Sequence, residues 1–239
     1  MDELVCLFIY HERNEVTEYH LAQLRAANPG VKVIPATDAT DDYIPETFDS
    51  RRAKRLFARE GCGGAKKANA HEDTILYAYH LTFPNAYQRI IIAEWDCLIN
   101  TDLKQYYREV WDKPFASARS VSTEDQPQWW WFQRFKSSAH NSWQDFRGVV
   151  PCAGVYFSAE GMDRLICQLR KSPNWYRFMP MSELRLGTAA KRANIEWNPI
   201  SQLASQQISS TVEIHKVYPQ GKGFFHPIKY LPWQWPAVK

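Results

Sequence analysis

Three consecutive isoleucines, Ile90–Ile92, run straight into Glu94, Trp95 and Asp96. The stretch 89-RIIIAEWDCLI-99 constrains the fold more than any other. A short run that is apolar on successive positions reads as a strand covered on both faces, and carboxylates beside it are costly to bury unpaired. The acids are therefore expected where the strand leaves the core. Other runs of strand character are 4-LVCLFIY-10, 31-VKVIPATD-38, 115-FASARS-120 and 149-VVPCAGVYFS-158. Between them lie segments of helical spacing: 15–28, stopped by Pro29-Gly30; 65–83, ended by Pro84-Asn85; 103–111; 159–172; and 182–195, with Ser182 a candidate N-cap. Strands alternating with helices argue for an α/β domain with a mostly parallel sheet.

The chain has 239 residues, enough for one sizeable core, and neither a repeat nor a linker divides it. We expect a single domain over 1–239, with a nucleotide-binding half at 1–102 and an acceptor-side half at 103–239. A net charge of +3 is too mild to imply nucleic acid by itself, but it permits anionic ligands. No apolar run approaches the ~20 residues of a membrane span. The first residues, MDELVCLFIYHER, do not read as a signal peptide. The five cysteines (Cys6, Cys62, Cys97, Cys152, Cys167) never occur as CxxC, which fits a reducing, cytoplasmic compartment. The segment 71-HEDTI-75 lacks the second histidine of a zinc helix.

In parallel sheets ligands bind beyond the carboxyl ends of the strands. That rule gathers Tyr10–Arg13, Thr37–Asp38 and Glu94–Asp96 on one rim. An extended strand would put Glu94 and Asp96 on one side, a pair of hard oxygen ligands suited to Mg²⁺ or Mn²⁺. The plain alternative is that they end a strand and meet Lys or Arg at the surface. Gly61, Gly63 and Gly64 precede Lys66 and Lys67 at a helix start, where free N–H groups favour an anion.

The order of these parts resembles the glycosyltransferase-A fold family, the nucleotide-diphospho-sugar transferases. The resemblance is carried by a DxD-like Glu94-Trp95-Asp96, in which Glu94 replaces the family's first Asp, and by 5-VCLFIYHERNE-15, 61-GCGGAKKANA-70, 150-VPCAGVYFSAEGMDRL-165, 183-ELRLGTAAKRANI-195 and 223-GFFHPIK-229. It implies a Rossmann-like domain and a metal-dependent glycosyltransferase of hexosyl or pentosyl type, using Mn²⁺ or Mg²⁺ and a nucleotide-sugar donor, with UDP favoured. The implied metal ligands are Asp96, Glu94 and His226. The implied donor contacts are Tyr10, His11, Arg13, Thr37, Asp38, Lys66, Asn69, Glu94, Trp95, Gly154 and Lys229. Asp96 serves catalysis through the metal. Glu183 is the candidate base for the acceptor hydroxyl, with Asp125 and Asp145 behind it, and a retaining enzyme without a base stays open.

The segment 121–148 has no clean period and is expected as an elaborated loop containing 129-WWWFQRFK-136. Trp130, Trp131 and Arg134 would offer stacking faces and a positive edge to an acceptor. That acceptor is a carbohydrate or glycolipid, or a modified DNA base. Two other functions compete: a nucleotidyltransferase on the same kind of sheet, and a non-catalytic single-stranded nucleic-acid-binding protein.

Overall fold

The computed structural model describes residues 1–38, 40–51, 72–136, 146–150, 153–171, 182–200 and 221–234. Its strands are β1 (Asp2–Ile9), β2 (Lys32–Thr37), β3 (Phe48–Asp49), β4 (Tyr87–Glu94), β5 (Leu98–Ile99), β6 (Phe115–Ser117), β7 (Ser120–Ser122), β8 (Arg147–Val149), β9 (Ala153–Ser158), β10 (Asn198–Pro199) and β11 (Phe224–Phe225). Its α-helices are α1 (Glu15–Ala27), α2 (Glu72–Thr82), α3 (Leu103–Tyr106), α4 (Trp130–Lys136), α5 (Ala159–Lys171) and α6 (Ser182–Arg192).

Seven strands form the central sheet in the order β10-β6-β9-β4-β1-β2-β3. β4, β1, β2 and β3 pair in parallel, as do β6 and β10, and β9 runs antiparallel between β4 and β6. The fold is α/β with a mostly parallel central sheet, as the alternation of segments predicts.

The isoleucine run explains itself in this sheet. Side chains alternate across a strand, so Ile90 and Ile92 enter one core with Val5, Leu7 and Ile9, while Ile91 enters the other with Leu4, Cys6 and Phe8. Helices α2, α5 and α6 cover the first face, and α1 and α3 the second. Each fully buried isoleucine contributes ~1.5–3 kcal/mol, so strands β1 and β4 anchor the rim they feed.

Local chemistry sets the element ends. Asn14 caps α1 by accepting from the Thr17 N–H at 3.0 Å. Asn28 closes it, donating to Leu24 O at 2.9 Å and Thr101 O at 3.0 Å and accepting from Leu103 N at 2.7 Å.

Three expectations are corrected. The 149–158 run is two strands, β8 and β9, and β8 pairs with β7 in a separate antiparallel ribbon. The 103–111 helix is a single α turn followed by a 3-10 turn at Arg108–Val110. Within the expected loop 121–148, Trp130–Lys136 is helical. Phe132 drives that helix by burying fully against Val121, Phe146 and Leu184, while Trp129 and Trp131 pack at the margin.

Candidate active site

The rim forms where β1, β2 and β4 end. β4 does not stay extended through Asp96: the chain turns after Glu94, with Cys97 N donating to Glu94 O at 2.9 Å. The turn sends the two acids to different neighbours, in place of the shared side that an extended strand would give them. His20 pins it from α1. Its Nδ1 lies 2.8 Å from the Trp95 carbonyl, which can only accept, so Nδ1 carries the proton. Burial lowers the His20 pKa, keeping the ring neutral.

The C-terminal segment folds back onto Asp96. β11 pairs antiparallel with β5, and Ile228 N donates to Asp96 O at 2.7 Å. This brings His226 Nε2 to 3.4 Å from Asp96 Oδ1, and Lys229 Nζ to 3.9 Å from Asp96 Oδ2. Asp96 is 5% exposed and His226 8%. Among the described residues, Asp96 Oδ1 and His226 Nδ1, both buried, have no hydrogen-bond partner.

Such orphaned polar atoms are costly unless a further ligand satisfies them. Asp96, Cys97 and His226 offer ligand atoms within 4.8 Å of one another. Burial, then Asp96 and Glu94, raises the Cys97 thiol well above its ordinary pKa, and a thiol is a soft ligand that the hard ions Mn²⁺ and Mg²⁺ do not favour. The oxygen of Asp96 and the imidazole of His226 remain, a donor set that fits Mn²⁺ or Mg²⁺.

Glu94 faces a different group. Burial first, then the charge of Glu72 and a hydrogen bond to it, and then Asp96 and Glu183, push its pKa well above the usual carboxylate range. Glu183, at the first turn of α6, is pushed up to about 7, first by burial and then by Glu72. The Ser182 hydroxyl donates to Glu183 Oε2 at 3.3 Å. Glu72 itself is 2% exposed, and its Oε2 has no hydrogen-bond partner among the described residues.

A buried fork fixes the spacing of these acids. Arg185 Nε and Nη2 donate to Asp73 Oδ2 and Oδ1 at 2.9 and 2.7 Å, tying the start of α2 to the start of α6. Asp73 and Arg185 each sit beside or near a site carboxylate, Glu72 and Glu183, so the fork sets the distance between those two.

Other expected residues distribute as follows. His11 meets Trp95 edge to face with centroids 4.9 Å apart, both rings on the rim. Tyr10 is fully buried; its hydroxyl accepts from Ile44 N at 3.1 Å and pairs with Thr47 Oγ1 at 2.8 Å, a role in holding the 44–47 loop. Arg13 is tied to Glu18 at 2.6 Å and Asp42 at 3.3 Å. Thr37 and Asp38 are buried at the end of β2.

Gly154 has φ +85°, and a Cβ there would lie 2.2 Å from the Tyr107 hydroxyl, which donates to Gly154 O. Trp130 is 56% exposed and Trp131 half-buried, with ring centroids 4.2 Å apart. The contact of Phe132 with Leu184 seats their helix beside Glu183. Asp125 accepts from the Ser122 hydroxyl at 2.6 Å in a turn. Lys66, Asn69, Asp145 and the side chain of Arg134 lie outside the described residues.

Sequence patterns missed Glu72, the Asp73–Arg185 fork, Cys97 and His20. The signal for Glu72 and Asp73 lies in 71-HEDT-74, which reads first as an incomplete zinc motif. No helix among the described residues is long and apolar enough to cross a membrane.

No protein-family model matches the chain, and no curated protein matches it. Among solved structures, it is similar to mouse xyloside xylosyltransferase 1 in its apo form, at 13% identity and TM-score 0.48, over 82% of this chain and 84% of that one. It is also similar to the galactosyltransferase LgtC in complex with donor and acceptor sugar analogs, at 10% identity and TM-score 0.45, over 79% of this chain and 69% of that one. An active-site mutant of LgtC is similar at 9% identity and TM-score 0.45, over 80% of this chain and 69% of that one.

Proposed function

We propose that the protein is a glycosyltransferase that moves a sugar from a nucleotide-diphospho-sugar, UDP-type, to an acceptor hydroxyl, with Mn²⁺ or Mg²⁺ held by Asp96 and His226. The acceptor is a carbohydrate, a glycolipid or a modified DNA base. One observation carries the reading. The rim concentrates Glu72, Glu94, Asp96 and Glu183, and two buried atoms beside them, Asp96 Oδ1 and His226 Nδ1, have no hydrogen-bond partner among the described residues. A nucleoside diphosphate is repelled by such a site unless a cation lies between them.

The bound divalent ion supplies Lewis-acid stabilisation of the charge on the departing diphosphate. Lys229, half-exposed beside Asp96, supplies a second positive charge for the same phosphates. His11 and Trp95 offer an aromatic corner at the strand ends where the donor enters. Glu183, titrating near 7, takes the acceptor proton at neutral pH, where a substantial fraction is ionised. Trp130 and Trp131 present ring surface for the acceptor from the neighbouring helix.

The test is release of UDP from a panel of UDP-sugars, with and without acceptor sugars and hydroxymethylated DNA. Release should require Mn²⁺ or Mg²⁺, vanish with EDTA, and vanish in Asp96→Asn on a folded protein. Metal-independent release, or full activity of Asp96→Asn, sinks the reading.

A further inference from the structure

With Asp96 and His226 assigned to a divalent ion, three glutamates of the rim remain, each from a different element. Glu94 ends β4, Glu72 opens α2 and Glu183 stands in the first turn of α6. Glu94 and Glu183 are half-buried and keep part of their surface exposed, while Glu72 is 2% exposed. Glu72 hydrogen-bonds to Glu94 and its charge acts on Glu183, so one buried carboxyl faces both of the others. Its Oε2 has no hydrogen-bond partner among the described residues. A buried carboxylate oxygen in that condition is costly until a donor or a cation reaches the site.

No cation in the site balances these acids. None of the three makes an ion pair among the described residues. Arg185, whose charge lowers the Glu183 pKa, spends Nε and Nη2 on Asp73. Lys229 stands beside Asp96, and a divalent ion there is matched by Asp96 and the donor's diphosphate.

The glutamates are also spaced too widely for a second bare ion. Among the described residues, the ligand atoms of Asp96, Cys97 and His226 gather within 4.8 Å of one another, and those of the three glutamates do not. A cation carried on a polyatomic frame suits the wider spacing, because its N–H groups meet one carboxylate while its hydroxyls meet the next. Glu94 lies two residues from Asp96, so a donor whose diphosphate sits on the Asp96 ion places its sugar beside Glu94.

We infer that the donor sugar carries a free, protonated amino group, held by Glu94 within the field of Glu72 and Glu183. The inference rests on the proposed nucleotide-sugar site and narrows its substrate class to amino sugars. Glu94 accepts the charge-assisted hydrogen bond, Glu72 adds its charge through its contact with Glu94, and Glu183 stays available to the acceptor hydroxyl. A neutral sugar hydroxyl in the same place leaves the acids unbalanced, which disfavours it by charge rather than by shape.

The test is calorimetric titration at pH 7 with Mn²⁺ of two amino donors, UDP-glucosamine and UDP-4-amino-4-deoxyarabinose. Their hydroxyl counterparts, UDP-glucose and UDP-arabinopyranose, and the uncharged UDP-N-acetylglucosamine are the controls. At least one amino donor should bind ten-fold or more tighter than its hydroxyl counterpart, and UDP-N-acetylglucosamine should show no such gain. Glu94→Gln should bring the ratio of amino to hydroxyl affinity close to one. Glu72→Gln should lower the same ratio, and it carries the test if Glu94→Gln fails to fold. Equal binding of amino and hydroxyl donors, a gain that N-acetylation preserves, or an undiminished ratio in folded Glu94→Gln would each overturn the inference. In those cases Mn²⁺-dependent binding of UDP-glucose would leave the glycosyltransferase reading standing, whereas no binding by any UDP-sugar would overturn both.

Discussion

Replacing Glu183 by glutamine should slow the enzyme and, at alkaline pH, stabilise it. The carboxyl is held at about 7 in the folded protein, by burial and by Glu72, against 4.5 in the unfolded chain. Below pH 4.5 both states hold the proton and the group is neutral to stability. Between 4.5 and 7 the folded state keeps a proton that the unfolded state releases, so stability falls as pH rises, by 1.36 kcal/mol per pH unit. Above 7 the loss is complete, with a ceiling of ~3 kcal/mol. Glu183 is partly exposed, so screening reduces the observable effect to ~1–2 kcal/mol. A neutral amide carries no such penalty, so the variant should exceed wild type in stability at pH 8 and not at pH 4. Urea unfolding of both proteins at several pH values measures this directly. The rate should move the other way. Wild-type kcat should climb with a midpoint near pH 7 and level off above about pH 8, and Glu183→Gln should lose ~10²–10⁴ in kcat together with that limb. A variant less stable than wild type at pH 8, or a wild-type rate flat between pH 5.5 and 8.5, would refute the reasoning.

Other consequences concern the supports of the site. Asp73→Ala removes the anionic side of a bidentate fork whose side chains are 0% and 3% exposed, so it should cost ~3–5 kcal/mol. At ~2–4 °C per kcal/mol for a chain of this size, the midpoint should fall by ~6–20 °C in a thermal melt. The double variant Asp73→Leu/Arg185→Met should recover most of that; simple addition of two large losses would show that the pair is not coupled. Gly154→Ala forces a side chain into the left-handed region and onto Tyr107 and Phe224, and should cost ~2–4 kcal/mol by chemical denaturation, where a neutral result would contradict the geometry. His226→Ala should raise the Mn²⁺ concentration needed for half-maximal activity by ~10-fold or more, and an unchanged Mn²⁺ requirement would remove His226 from the ligand set.

Much of the scaffold is written in short-range patterns. The isoleucine run and 4-LVCLFIY-10 announced central strands because residues buried on both faces leave no polar alternation to misread. The rim followed from topology alone, and with it Asp96. What escaped depends on long-range packing. Glu72 and Asp73 carry the same first-turn acid signal as any exposed helix start, and only the docking of α6, with Arg185, makes them interior groups. The turn at Trp95 is set by His20 from a helix 75 residues earlier, which no strand pattern encodes. Helix α4 was hidden because consecutive tryptophans blur any period, and the burial of Phe132 against Leu184 decides its orientation. His226 was reached only through the resemblance of 223-GFFHPIK-229, since its meeting with Asp96 depends on β11 adding to β5.

The most direct measurement is thermal unfolding of the purified protein with UDP, with Mn²⁺, and with both, repeated on Asp96→Asn. A ligand at 100 times its dissociation constant adds ~2.7 kcal/mol to the folded state, which at this chain length raises the midpoint by ~5–11 °C. The account predicts that shift for wild type only when UDP and Mn²⁺ are present together, and none for Asp96→Asn. A shift by UDP that ignores Mn²⁺ and survives in Asp96→Asn, or no shift with any nucleoside diphosphate on folded protein, would contradict it.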